Sequence, residues 1–446
     1  MYLGKYKVTG LLGRGGMGAI YKVDHPRLNS TMALKLLSPR EELEAILGPD
    51  ALKDMFLREA RAMSRLDHPH VVPVFDLDEC ERGLFMVMPF YCWSLASVMR
   101  LGAEMDAPSL PLHAETVFTY SLEALSGLEA MHAAGMVHRD INPGNLLLTP
   151  ENRVRIIDLG LCKKAGIPES TPRTMKVGSP FYTAPEQEKN PQKADNRADL
   201  YSMGVSICRM LTGSLPDENG KPKDPPHPED KWESFLTRAV HADPDKRFSS
   251  AAEMKRELAS LHGEWQKARE NTCGLWEPEQ KSCRFREDIR SSPVKTGVVR
   301  ADQAFDVDGF GRPRHSCTSV LKGSGPVFAD HTYGLRWYLP RASAAMPMSE
   351  AVSWLSDINE RENASWRLPT VDELLSIIRP KKDPSDYCLA FVHEHLHPRV
   401  WSADRRSFTS YWCADVLNGF IFHADRDCLV HVLAVSHVQD RTGGEK

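Results

Sequence analysis

The chain has 446 residues, 41% hydrophobic and 26% charged, a balance that buries a core and excludes disorder as the main state, at a length that calls for two or three domains. Its formal net charge of −4 gives no overall attraction to nucleic acid or to an anionic membrane. No apolar run approaches the ~18 residues of a membrane span, residues 1–6 lack the layout of a signal peptide, and the 10 cysteines show neither zinc-type pairing nor the density of a disulfide scaffold; a cytoplasmic protein with mostly buried thiols is expected.

Residues 1–37 read as short β segments around a glycine-rich turn, Gly13-Arg14-Gly15-Gly16-Met17-Gly18. Glycine there lets the backbone approach phosphate without a Cβ in the way. Many such turns bind nothing, and this one leads into a strand instead of a helix, which removes a dinucleotide-binding reading. Residues 51–66 carry the apolar spacing of an amphipathic helix and residues 84–88 read as a buried strand. From residue 111 onward the pattern is mainly helical, most clearly over 114–133, 199–211 and 251–261. A β-rich lobe therefore precedes a helical lobe. Prolines and charges crowd residues 215–230 into an exposed loop, and 263–294 is polar and unpatterned, with helical character over 263–269.

Lys35 lies in the apolar run Met32-Ala33-Leu34-Lys35-Leu36-Leu37, Glu59 on the following helix, and His138-Arg139-Asp140-Ile141-Asn142-Pro143-Gly144-Asn145 ahead of Asp158-Leu159-Gly160. Taken singly, Lys35 reads as a strand-edge lysine and Glu59 as part of a solvated helix face. Further on stand Gly178-Ser179-Pro180-Phe181-Tyr182-Thr183-Ala184-Pro185-Glu186, Asp199-Leu200-Tyr201-Ser202 and Asp243-Pro244-Asp245-Lys246-Arg247-Phe248. In this order, over about 260 residues, the motifs resemble the eukaryotic-like serine/threonine protein kinases of bacteria.

The resemblance implies a bilobal fold with ATP between the lobes and Mg2+, or Mn2+ in its place, as the metal. Gly13, Arg14, Gly15, Gly16, Met17 and Gly18 would cover the phosphates, and Lys35, paired with Glu59, would grip them. Met88 would be the gatekeeper, with Pro89 to Tyr91 pairing with the base. Phosphoryl transfer needs in-line positioning and neutralisation of charge. Asn145 and Asp158 supply the oxygens that hard magnesium prefers, and Asp140 would orient the substrate hydroxyl and accept its proton. Glu186, Arg247 and Asp199 match structural residues of the family. Ser170, Thr171, Thr174 and Ser179 lie in the expected activation segment, where Arg139 would face an added phosphate.

Asn142 departs from the family, which carries lysine there. Asparagine can donate a hydrogen bond to the γ phosphate but brings no charge, and losing one preorganised donor costs about 10²–10³ in rate. Leu159 in place of phenylalanine keeps an apolar contact. An active kinase acting on protein substrates is expected; the alternative is a weakly active or inactive nucleotide-binding scaffold.

Asp330-His331-Thr332-Tyr333-Gly334-Leu335-Arg336-Trp337, Trp366-Arg367-Leu368-Pro369-Thr370 and Val400-Trp401-Ser402 come in an order similar to that of a bacterial module of C-type-lectin-like fold. Residues 349–360 and 371–378 match its helices, and 411–414 and 419–422 its closing aromatic strands. The resemblance implies a surface for an unidentified ligand or protein. Trp401, Tyr411 and Trp412 fit that surface or the core, and core is favoured for any one of them. His393-Glu394-His395-Leu396-His397 alternates its histidines but falls short of a supported zinc set, so an exposed polar segment is expected; Cys273 and Cys283 lack a partner set. The expected organisation is α+β: a kinase domain over 1–262 (lobes at about 1–88 and 92–262), a linker over 263–294 and a lectin-like domain over 295–440. No nucleic-acid partner and no membrane span are expected.

Overall fold

The computed structural model describes residues 1–28, 30–102, 104, 106–157, 163–164, 178–217, 220–222, 230–272, 289–297, 299–314, 319, 321–323, 325–340, 345–379, 388–389, 399–416 and 418–437. The chain forms two compact units, one of Met1–Thr149 with Arg153–Gly274 and one that contains Leu275–Lys446.

The first unit opens with an antiparallel sheet of strands β1 (Tyr2–Leu3), β2 (Tyr6–Arg14), β3 (Gly18–Asp24), β4 (Thr31–Leu37), β5 (Asp76–Cys80) and β6 (Gly83–Pro89), in the order β1-β2-β3-β4-β6-β5. The central strands β4 and β6 are buried over five consecutive residues each, as strands covered on both faces are. Leu3, Tyr6, Val23, Leu34, Phe85 and Val87 form their core. Tyr6 ties the start of the sheet to its far edge, donating its hydroxyl to Asp76 Oδ2 at 2.7 Å and packing edge-on against Phe85.

Two helices follow β4: α1 (Glu41–Leu47) and α2 (Pro49–Arg65). Proline at N1 suits the start of α2, since its missing N–H is one that no helix satisfies there. Leu52, Phe56, Glu59, Ala60 and Met63 make one buried stripe along it. A carboxylate in that stripe requires a partner. Helix α1 was not foreseen in the sequence; it buries no residue.

The helical lobe is built from Ala114–Ala133, Asn196–Thr212, Asp230–Ala239 and Ala251–Thr272. The last runs past the expected end at residue 261 because His262 and Trp265 lie on the ring of Phe118, at 4.4 and 5.7 Å between centroids, and His262 Nε2 meets Glu115 Oε2 at 2.8 Å. Helix thus occupies the first part of the expected linker. Of the thiols, Cys208 and Cys413 are buried, and burial pushes Cys208 up to about 12.

In the second unit, strands Leu321–Lys322, Val327–Asp330, Leu335–Tyr338 and Ala434–His437 form one sheet in that order. Its last strand therefore returns to pair with a strand a hundred residues earlier (Trp337 opposite Val435). Arg399–Arg405, Ser410–Asp415 and Phe420–Asp425 form another sheet, and the helices are Met348–Glu362 and Val371–Ser376. A capping box closes the second helix, Thr370 and Glu373 each bonding the other's backbone N–H. Trp337, Trp412, Leu374, Val400 and Val435 share the core. Trp401 and Trp412 are buried, donating their indole N–H to Met346 O and Thr296 Oγ1, so both are core residues and only Tyr411 is partly exposed. The alternating histidines at 393–397, Cys273 and Cys283 lie outside the described residues.

Asp404 is the polar centre of this unit. Fully buried, it receives both terminal guanidinium nitrogens of Arg290 at 2.8 and 2.9 Å and the backbone N–H groups of Val294 and Val371, each at 2.7 Å. Arg290 also meets Asp372 at 2.8 Å. Residues 290–294, expected as the end of a linker, are thereby bonded into the second unit. Removing one member of a buried ion pair costs about 3–5 kcal/mol. Asp404→Ala is expected to lower the unfolding free energy of the second unit by about that amount, read from denaturant titration, while the first unit's transition, followed separately by proteolysis of its helices, stays in place.

Candidate active site

The glycine-rich turn closes the β2–β3 hairpin, with Gly13 opposite Ile20, Arg14 opposite Ala19, and the Gly15 N–H donating to Gly18 O at 2.8 Å. Only Gly18 is required by the chain's own packing: a Cβ there would lie 2.0 Å from Leu36 O. A Cβ at Gly13 or Gly15 would meet nothing within 4 Å, so the protein leaves open the space beside these glycines. Such space suits a backbone that approaches phosphate.

Lys35 stands in the middle of β4, opposite Ile20 and Met86. Its Nζ lies 2.8 Å from Glu59 Oε1, and both side chains are nearly buried. This pair answers the need of the buried carboxylate on α2 and replaces both bland readings of these residues. Met88, buried, lies opposite Ala33, and Pro89 opposite Met32. Tyr91 follows, half-buried, with the Arg155 guanidinium 6.0 Å from its ring.

The loop after residue 137 is set by Asp199. The helix Asn196–Thr212 holds this residue fully buried in its first turn. Its Oδ1 accepts the Arg139 N–H at 2.7 Å, and its Oδ2 accepts the His138 N–H at 2.9 Å and meets His132 Nε2 at 2.8 Å. Burial acts to raise the Asp199 carboxyl, but the His132 hydrogen bond, the nearby histidines and the Arg139 N–H outweigh it and hold it below its ordinary 3.8. These bonds keep Arg139 at φ 68°, a left-handed conformation unusual for arginine. His138 Nδ1 accepts the Asp140 N–H at 3.2 Å, so its Nε2 carries the proton and donates to Ile157 O at 3.0 Å.

Asp140 is surrounded by donors from its own chain. Oδ1 accepts the Ser179 N–H (2.8 Å), the Ser179 hydroxyl (2.7 Å) and the Asn142 amide (3.2 Å), and Oδ2 accepts the Asn145 amide at 3.0 Å. Asn142 Nδ2 also reaches Asp140 O (3.1 Å) and Ser179 Oγ (3.0 Å) while its Oδ1 accepts the Gly144 N–H at 2.8 Å. Its amide is thus spent on the loop and on Ser179, which differs from the expected donation to a phosphate. Asn145 Nδ2 is committed to Asp140 as well, so the atom it has to offer a hard cation is Oδ1. That donor chemistry fits magnesium. Asp158, Ser170, Thr171 and Thr174 lie outside the described residues. Among the described residues, no group of three or more His, Cys, Asp or Glu is placed to hold a metal ion.

Ser179 is held by a tight approach. Gly178, at φ 104°, would carry a Cβ 2.6 Å from Thr183 Oγ1 and 3.0 Å from Arg139 O, so a side chain there would push the two segments apart. Arg139 O accepts the Gln187 amide at 2.8 Å. The arginine side chain is itself buried and reaches Pro191 O at 3.4 Å. Glu186 is clamped by Arg247 through two bonds of 2.7 Å, with the guanidinium also donating to His241 O and Arg197 O. Gln187, His132 and the Ser179–Asn142 bond went unnoticed in the sequence; their only signal was position within the quoted motifs or beside them.

Family comparison agrees with this geometry. The protein kinase domain matches residues 6–260, and the Lcl C-terminal domain matches residues 326–436. The chain is 29% identical over 286 residues to serine/threonine-protein kinase pkn3 of Myxococcus xanthus, covering 58% of this chain and 50% of that protein. It is 32% identical over 278 residues to Pkn1 of the same organism, covering 57% and 38%. With the DNA damage-responsive serine/threonine-protein kinase RqkA of Deinococcus radiodurans it shares 37% over 218 residues, covering 48% and 30%. The chain therefore spans half or less of the length of these relatives. No helix among the described residues is long and apolar enough to cross a membrane.

Because the Asp199 carboxyl is held low, its folded form binds protons less readily than the unfolded chain. Its stabilisation is full above the ordinary carboxyl range and is lost as pH falls through the lowered value. Asp199→Asn is expected to be less stable than the parent at pH 7 and to lose less stability between pH 5 and pH 2, a narrowing that acid titration followed by circular dichroism would measure.

Proposed function

Since this chain belongs to the protein kinase family, we propose that it is an ATP-dependent serine/threonine protein kinase, transferring the γ-phosphate to hydroxyls of protein substrates in the cytoplasm, where ATP is supplied. The observation that carries this reading is the joint placement of the buried Lys35–Glu59 pair and of Asp140 among its donors. The named relatives are themselves serine/threonine kinases.

The residue roles we assign are those the kinase resemblance implies. Gly13, Arg14, Gly15, Gly16, Met17 and Gly18 cover the phosphates. Lys35, oriented by Glu59, grips them; Met88 and Tyr91 border the base. Asn145, through the Oδ1 that its amide leaves available, and Asp158 would hold the metal. Bound Mg-ATP supplies the phosphoryl group and neutralises its charge. Asp140 directs the incoming hydroxyl and accepts its proton. In this arrangement Ser179 donates to the carboxylate oxygen that an incoming hydroxyl would address, so substrate binding replaces or shares that bond. Asn142 acts on the loop and leaves the phosphate charge to Lys35 and the metal.

We also read the second unit as a C-type-lectin-like domain of about residues 295–440, joined after residue 272, which binds an unidentified ligand or protein. The match to the Lcl C-terminal domain over 326–436 and the paired strands Leu335–Tyr338 and Ala434–His437 support a discrete module there. With both large tryptophans in the core, the ligand surface would fall to loops and to Tyr411.

Incubation with radiolabelled ATP and magnesium is expected to label the protein or a generic acceptor peptide. Asp140→Asn and Lys35→Ala are each expected to reduce labelling about 10²-fold or more, the effect normal for such groups, with the circular dichroism of Asp140→Asn unchanged and Lys35→Ala less stable because Glu59 loses its buried partner. Label at more than about a tenth of the parent rate in both variants would remove the assignment. Nucleotide binding without transfer in the parent protein would select the scaffold reading instead.

A further inference from the structure

The glycine-rich turn is held from outside the hairpin. Its two tip carbonyls, Gly16 O and Met17 O, accept the backbone N–H groups of Arg40 and Ser38, both at 3.1 Å. Carbonyl oxygens repel a phosphate, and these two are turned toward donors on the segment that leaves β4. Ser38 is extended by the proline after it, since the clash with that ring disfavours helical backbone at the preceding residue. Its N–H so prolongs the ladder that pairs Gly18 with Leu37.

Arg40 is also the N-cap of α1. Its carbonyl accepts the N–H groups of Leu43 and Glu44, both at 3.0 Å. Folding of α1 therefore fixes the backbone of the residue whose N–H holds Gly16. Leu43, on the first turn, borders the space beside the tip: a Cβ built on Gly16 would come within 3.8 Å of Leu43 Cδ2. The helix itself has only seven residues and none is buried. Isolated helices of that length are marginal in water, and Arg40 gives it no side-chain cap. Its charged face, Glu41, Glu42 and Glu44, is solvent-exposed.

We propose that α1 and the Ser38-Pro39-Arg40 segment before it form a clamp that orders the glycine-rich turn, with Arg40 and Leu43 as positioning residues, so that nucleotide affinity follows the folding of α1. The proposal rests on the reading of that turn as the phosphate-binding element. It separates two properties that a merely structural helix would join. An element without a fully buried residue contributes little to global stability, so loosening it should move nucleotide affinity and leave the melting temperature in place.

Two full-length variants test this. Ala45→Gly weakens α1 through backbone freedom alone, since Ala45 is exposed, by roughly a factor of five in helix population. Leu43→Ala removes the side chain that comes nearest to Gly16 and leaves the backbone bonds. Titration with a fluorescent ATP analogue and magnesium is expected to show Kd raised roughly three- to tenfold in both. KM for ATP should rise in parallel, kcat stay within about twofold, and Tm remain unchanged. Hydrogen exchange in the nucleotide-free protein should speed up at the Ser38 and Arg40 amides in Ala45→Gly by roughly fivefold. Faster exchange with an unchanged Kd, or unchanged exchange, would overturn the clamp. A parent protein that binds no nucleotide would instead overturn the kinase reading, and the exchange at Ser38 and Arg40 would then decide the clamp alone.

Discussion

Asp199 holds two consecutive backbone N–H groups, those of His138 and Arg139, on its two oxygens from inside a buried helix. Placing an ionised carboxylate where no water reaches is costly unless donors surround it; here the donors are the loop itself. The loop has no regular ladder to fix it, and Arg139 adopts a left-handed conformation that only surrounding bonds can maintain. The carboxylate and the loop are therefore each stable only in the presence of the other. Asp140 follows one residue later, and its orientation inherits that constraint.

From Arg139 the constraint passes outward. Its carbonyl accepts the Gln187 amide, Gly178 passes close beside that carbonyl, and Ser179 beyond Gly178 donates twice to Asp140. The Glu186–Arg247 pair anchors the residue next to Gln187. Charged and backbone groups from three parts of the chain thus converge around one loop, beside a small apolar cluster of Ala184, Ala194 and Ala198. Glycine at 178 is what lets the segments come near enough.

Much of this was legible from residue types, since each motif carried its own chemistry. Helix α2 was legible because Leu52, Phe56, Glu59, Ala60 and Met63 fall at helical spacing. Helix α1 was not, because Glu-Glu-Leu-Glu-Ala-Ile-Leu is short and has no fully buried residue to mark a stripe. The extension of the helix past residue 261 depended on Trp265 and His262 finding Phe118, a contact between residues far apart in the chain. Trp401 and Trp412 had readings in both core and surface, and only their indole partners and burial decide between them. Arg290 looked like linker because its meaning lies in Asp404, more than a hundred residues away. For Asn142 the sequence identified the unusual residue but not the direction of its amide.

That direction alters the charge balance of the site. A lysine at position 142 would bring a full positive charge beside Asp140. Asparagine brings a dipole, and both ends of it are taken, by Gly144 on one side and by Asp140 and Ser179 on the other. On the proposed kinase reading, the negative charge gathered in phosphoryl transfer would then fall to Lys35, the metal and the backbone donors of the glycine-rich turn. A point charge on a β-strand is fixed by the sheet, whereas the donors of a turn are only as good as the order of the turn. With one cation fewer, a phosphate site of that kind would place more weight on that order. The bonds from Ser38 and Arg40 to the tip carbonyls are among the contacts that act on it from outside the hairpin.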